Sequence, residues 1–172
     1  MEENQKNDAV EHILDQWRLA RPDLDVFAMG VLGRMKRCAL LLERQLDTVF
    51  AQFGLSQWMF DVLATLRRAG APYSLTPTAL FSSLMVTSGT LTHRLHVLEE
   101  KGWIVRADSA EDGRSTLVRL TDAGFALIDA AVTAHVANEQ ALLQGLSARS
   151  QQSLDNRLAE LLASLEAGGQ AR

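Results

Sequence analysis

A single cysteine, Cys38, is all the chain carries, so no internal disulfide can form and a reducing cytoplasm is the expected compartment. The opening residues Met1-Glu2-Glu3-Asn4-Gln5-Lys6 lack the apolar core of a secretory signal, and export is not expected. Long apolar runs are missing too. Residues 69–93 carry no formal charge, but they hold Pro72, Pro77 and nine Ser or Thr residues, which excludes a bilayer helix there. A surplus of positive charge is likewise absent: the net charge of −4 argues against a uniformly basic nucleic-acid coat. There is no Gly-rich phosphate loop, no Cys-x-x-Cys, no His-Glu-x-x-His and no Gly-x-Ser-x-Gly. An enzyme is therefore not expected, nor a cofactor. His93 and His96 are spaced as a metal pair would be, but no carboxylate or cysteine is expected to complete them, so no metal is expected either. No repeat or low-complexity segment is found.

What is present suits one soluble domain with a real core: 172 residues, 47% hydrophobic and 22% charged. The charge is uneven. Residues 1–53 hold seven basic against nine acidic side chains and residues 122–172 three against six, whereas residues 54–121 hold seven against six. Only that middle segment is not acidic, where a surface for DNA would have to lie.

Hydrophobic spacing orders the chain as helices. Asp8 to Ala20 suits a first helix with Val10, Ile13, Leu14 and Trp17 on one side, Trp17 being a packing residue on the residues alone. A long second helix runs from caps at Asp23-Leu24-Asp25 to about Phe53. Its Leu32, Met35, Ala39, Leu42, Leu46, Val49 and Phe53 alternate steps of three and four, a seam that wants a partner helix. Cys38 in that helix reads as inert packing, with oxidant sensing as the alternative. Gly54-Leu55-Ser56 breaks it, and Ser56 is expected to cap a third helix with Trp58, Met59, Val62, Leu63 and Leu66 on the core side. Asp61 beside them either faces solvent or, if buried, needs a cation. Thr76-Pro77 reads as cap and first residue of a short fourth helix.

The stretch from Thr87 to Thr121 combines a polar-tipped helix with a charged hairpin. Leu91, Leu95 and Leu98 form one apolar stripe, and Lys101-Gly102 stops the helix. Residues 103–107 and 115–120 read as strands joined through Asp112-Gly113-Arg114. Preceded by the short fourth helix, this is the layout of a winged helix-turn-helix. At about 100° per residue, Arg94 lies about 60° from Leu91 and so flanks the buried stripe, while Gly89, His93 and His96 point away. Arg94 is thus expected to look inward, the alternative being a phosphate clamp. A helix from Thr121 to about Gly145 and another from Ser147 to about Glu166 are long for one small core, and are expected to pack on a second copy. The expected fold is mainly α with a small β-hairpin wing, in one domain: residues 8–53 as amino-terminal helices, 54–121 as winged helix-turn-helix, 122–166 as dimerisation helices.

Leu98-Glu99-Glu100-Lys101-Gly102, then Asp112-Gly113-Arg114, then Leu120-Thr121-Asp122-Ala123-Gly124, taken with this helix order, resemble the MarR family of bacterial transcriptional regulators over about residues 25–165. Gln16-Trp17-Arg18, Arg21-Pro22-Asp23-Leu24-Asp25 and Phe60-Asp61-Val62-Leu63-Ala64-Thr65-Leu66-Arg67-Arg68 are similar to its PecS and HucR branch, whose members respond to urate. The resemblance implies a homodimeric repressor on a pseudo-palindromic operator, released by a small anionic aromatic effector such as urate. By position it implies Trp17, Asp61, Arg94 and Arg106 as effector contacts, with an Asp61 to Arg106 ion pair. It implies Thr87, Ser88, Gly89, Thr90 and His93 on double-stranded DNA, with Arg114 in the minor groove oriented by Asp112. Relatives often carry a basic residue at the positions of Gly113 and His93, so a shallower salt dependence is expected here. A MarR-type sensor of aromatic carboxylates, and a dimeric scaffold that binds protein instead of DNA, are the competing expectations.

Overall fold

The computed structural model describes residues 8–84, 91–108 and 116–169. Seven helices and three short strands follow in the order α1 (Ala9–Ala20), α2 (Phe27–Gln52), α3 (Gln57–Arg68), β1 (Ser74–Leu75), α4 (Pro77–Ser83), α5 (Leu91–Glu100), β2 (Ile104–Asp108), β3 (Thr116–Leu120), α6 (Asp122–Leu143) and α7 (Ala148–Gly169). The fold is mainly α with a small antiparallel sheet. Two strands were expected and three occur among the described residues: β1 pairs with the other edge of β3, Leu75 opposite Val118, so the order is β1-β3-β2.

Helix ends follow the local chemistry. Asp8 accepts from the backbone N–H of Val10 and Glu11, and Asp25 from that of Phe27. Thr76 caps α4 through the N–H of Ala79, with Pro77 in the first turn. Gly54 and Gly102 adopt φ of +66° and +71°, and each closes its helix with a paired 6→1 and 5→2 hydrogen bond. Ser56 sits at the start of α3 as expected, but its Oγ makes no cap hydrogen bond and is buried without a partner among the described residues.

One core joins α2, α3, α4, α5, the sheet and α6 around Phe50, Phe60, Val62, Leu63, Leu66, Leu80, Leu98, Ile104, Val118 and Ile128. Phe60 of α3 belongs to it, while Trp58 and Met59, expected on the core side, sit at its margin. The α2 seam divides: Val49 is buried and Leu46 and Phe53 pack on the core, but Leu32 and Leu42 are exposed. Cys38, expected to be packed, is exposed on this chain.

The first helix forms a second, smaller core of Val10, Leu14 and Val26. Gly30 and Gly33 of α2 make room for it: a Cβ at Gly30 would lie 2.9 Å from Leu14 Cδ1 and one at Gly33 3.1 Å from Val10 Cγ1. Arg34 of α2 clamps it, holding Asp8 at 2.8 Å and pairing with Glu11. Ile13 and Trp17, expected on the packed side, are 49% and 40% exposed.

The start of α6 is bolted to the turn after α5. Thr121 Oγ1 donates to the Gly102 carbonyl at 2.7 Å and accepts from the Gly124 N–H at 3.0 Å, while the Thr121 N–H donates to the Trp103 carbonyl. A Cβ on Gly124 would come within 1.9 Å of that same carbonyl oxygen. The two short motifs Leu-Glu-x-x-Gly and Leu-Thr-x-x-Gly are therefore halves of one joint. Beyond the core, Leu154, Leu158, Leu162 and Leu165 of α7 are exposed. No described helix is long and apolar enough to cross a membrane.

Candidate functional site

The stripe of α5 settles which way its side chains point. Leu95 and Leu98 are buried, so Thr92, His93 and His96 face outward and are exposed. Arg94 turns the other way, its guanidinium carbon 5.4 Å from the centroid of the Trp58 ring on α3, a cation–π contact. Of the residues expected on DNA, only His93 lies within the described part; Thr87, Ser88, Gly89, Thr90, Asp112 and Arg114 lie outside it.

Asp61 lies one turn after Trp58 on α3 and is half-buried. Desolvation pushes its carboxyl above the usual carboxylate value, against the opposing fields of Arg68, Arg94 and His135. Loss of hydration outweighs three nearby cationic or potentially cationic groups because none is in direct ion-pair contact with it among the described residues. Its neighbours on α3 are otherwise engaged. Arg68 donates to the Ser83 carbonyl at the end of α4, and Arg67 pairs with Asp129 of α6 while lying over the rings of Tyr73 and Phe125. Those two arginines tie the fold together.

The expected Asp61 to Arg106 pair is not made. Arg106 Nε lies 3.4 Å from Glu99 Oε2, which links the first strand of the wing to α5 instead. Glu99 is nearer because the tight turn at Gly102 folds β2 back along the last turn of α5. Of the four expected effector contacts, Asp61 and Arg94 come together, Arg106 is drawn to Glu99, and Trp17 lies on α1, 40% exposed. His96, expected without a carboxylate, has Glu100 at 3.3 Å. Still, no group of three or more His, Cys, Asp or Glu able to hold a metal occurs among the described residues.

Two residues of this region carry no functional expectation from sequence. Trp58 reads there as core, and what distinguishes it is an indole one turn from a carboxylate. His135 extends the stripe Ile128, Ala131 of α6 by a further turn, an imidazole where an apolar residue would continue the core. Its ring lies 4.8 Å from Phe60 and 5.5 Å from Phe50, Nε2 is 3.3 Å from Glu139, and Nδ1 is buried with no partner among the described residues.

The matching family model is the MarR family, over residues 55–116, the segment from the start of α3 into β3. The chain is 49% identical over 138 residues to the HTH-type transcriptional regulator PecS of Dickeya dadantii, covering 80% of this chain and 83% of that protein. Among solved structures, a mutant MarR from E. coli complexed with operator DNA is 29% identical with a TM-score of 0.66, covering 81% of this chain and 99% of that one. A MarR family regulator from Streptomyces coelicolor in complex with DNA is 26% identical with a TM-score of 0.71, covering 83% and 93%.

Proposed function

The chain belongs to the MarR family, as a DNA-binding transcriptional regulator and not an enzyme, and from that premise we propose that it is a homodimeric repressor released from a pseudo-palindromic operator by a small anionic aromatic effector such as urate. The observation that carries this reading is the opposed pair on α5: His93 is exposed while Arg94 turns in over Trp58, beside the half-buried Asp61. One helix then offers one face to a groove and another to an effector.

In this reading Thr87, Ser88, Gly89, Thr90 and His93 meet the major groove, and Arg114, oriented by Asp112, the minor groove. The exposed Leu32 and Leu42 of α2 and the exposed leucines of α7 support a second copy; in this reading two recognition helices sit about one helical turn of DNA apart. The effector's charge is held by Arg94, with Arg106 available when it leaves Glu99, and Trp17 stacks on the ring. An effector acts only if it binds the released state more tightly. Drawing Arg94 and Arg106 toward it moves α5 and the wing together, because Glu99, Gly102 and Trp103 already connect both to each other and to α6.

Gel shifts on the protein's own upstream region test this, with urate, xanthine and aromatic carboxylates titrated against the complex. Two chains per operator and release by one of these compounds are expected. No shift at low salt contradicts a DNA-binding regulator, and a complex indifferent to all of them contradicts the effector. The exposed thiol favours a second reading, oxidant sensing; loss of an oxidant response in Cys38→Ser is its test.

A further inference from the structure

Resting on the reading above, α6 carries two buried polar groups near Asp61 and Arg94 that the reading does not use. His135 presents a buried ring nitrogen with no partner among the described residues, and Asn138, one turn further along α6, presents a buried amide nitrogen in the same condition. A buried polar atom left unpaired costs about 1–3 kcal/mol, so such positions persist where something else satisfies them. Phe60 and Phe50 pack against the His135 ring, and its other nitrogen lies 3.3 Å from a Glu139 carboxylate oxygen. Its ring packs on Phe60, the residue before Asp61 on α3, with centroids 4.8 Å apart, and its field reaches Asp61, as does that of Arg94.

We propose that His135 is a specificity-determining contact of the effector site, offering one hydrogen bond through Nδ1 to a planar heteroaromatic ring that carries N–H groups as well as anionic oxygen. Asp61, Arg94 and His135 together select that chemistry. Arg94 attracts anionic oxygen, but Asp61 beside it repels a plain carboxylate and accepts from N–H donors. A cyclic ureide or imide satisfies Asp61, Arg94 and His135 at once; a benzoate-like acid satisfies Arg94 alone. Trp58 supplies the aromatic face.

The test uses the full-length protein, calorimetric titration with urate, and salicylate as the comparison probe. His135→Phe keeps a ring between Phe60 and Phe50 and removes the hydrogen bond; His135→Gln restores a polar atom. The wild type is expected to bind urate more tightly than salicylate. His135→Phe should weaken urate about tenfold, corresponding to one lost hydrogen bond of about 1.4 kcal/mol, with salicylate and operator affinity unchanged and partial recovery in His135→Gln. Unchanged urate affinity in His135→Phe overturns this inference and leaves the proposed function standing. Wild-type binding of neither probe overturns both. Should His135→Phe fail to fold, His135→Gln decides alone: wild-type salicylate affinity with altered urate affinity supports the contact, and equal loss of both probes overturns it.

Discussion

Arg94 of α5 rests over the ring of Trp58 on α3 while its sequence neighbour His93 stands exposed on another side of the same helix. One residue step of about 100° separates a groove-facing side chain from an inward one. The contact depends on the indole face. Trp58→Leu is expected to lower stability by about 1 kcal/mol, in the range of a partly desolvated cation–π pair, and to weaken effector release while leaving operator affinity within a few-fold. Chemical denaturation and effector titration of the same variant check the two halves.

Asp61 contributes to stability with the opposite sign from an ion-paired carboxylate. Its value is raised in the folded state, chiefly by desolvation, so the folded chain binds its proton more readily than the unfolded chain does. The resulting penalty is fully present above the raised value and disappears as pH falls below the ordinary Asp value. Asp61→Asn is therefore expected to raise the melting temperature at pH 7, to change it little at pH 3.5, and to weaken urate release. A variant less stable than wild type at pH 7 contradicts this assignment.

The joint between α5 and α6 is the most sensitive point outside the core. Gly124→Ala drives a methyl group into the Trp103 carbonyl and should cost about 3 kcal/mol or more, at the upper end of overpacking. Thr121→Ala loses a cap and the bond to Gly102 and should cost about 1–2 kcal/mol. Urea unfolding measures both, and equal effects of the two substitutions would contradict the geometry.

Docking of α1 is electrostatic at its outer side. Arg34 and the backbone hold the Asp8 carboxyl below its usual range, and Arg18 and Arg34 do the same for Glu11. Their contribution is therefore complete above the ordinary carboxylate values and is lost as pH falls through the lowered ones. Arg34→Ala should speed amide hydrogen exchange across residues 9–20 at neutral pH with little change in the core. Salt of about 1 M should speed exchange in the wild type toward the same limit.

Much of this was legible because local chemistry decided it. Gly54 and Gly102 end helices by a backbone conformation that side chains disfavour, and Thr76-Pro77 and Thr121 begin helices by capping, so sequence spacing located all four. β1 was not legible: two residues cannot show alternation, and their partner strand lies more than forty positions away. Ser56 has the right residue type for a cap, yet tertiary packing takes its hydroxyl out of reach. In the candidate site, the inward direction of Arg94 followed from helical phase, whereas Glu99 claimed Arg106 through the geometry of the Gly102 turn, which no periodicity encodes. His135 was hidden because an imidazole at an apolar stripe position has no signature of its own.

If α5 reads DNA on one face and senses an effector on the other, a paired substitution separates the two roles. Operator affinity and urate release are measured by fluorescence anisotropy for His93→Ala and Arg94→Ala side by side. His93→Ala is expected to weaken the operator complex about tenfold, within the range of a lost base contact, and still to be released by urate. Arg94→Ala is predicted to bind the operator nearly as the wild type does and to ignore urate. Arg94→Ala losing operator affinity with its urate response intact would contradict the account and make Arg94 a phosphate contact instead.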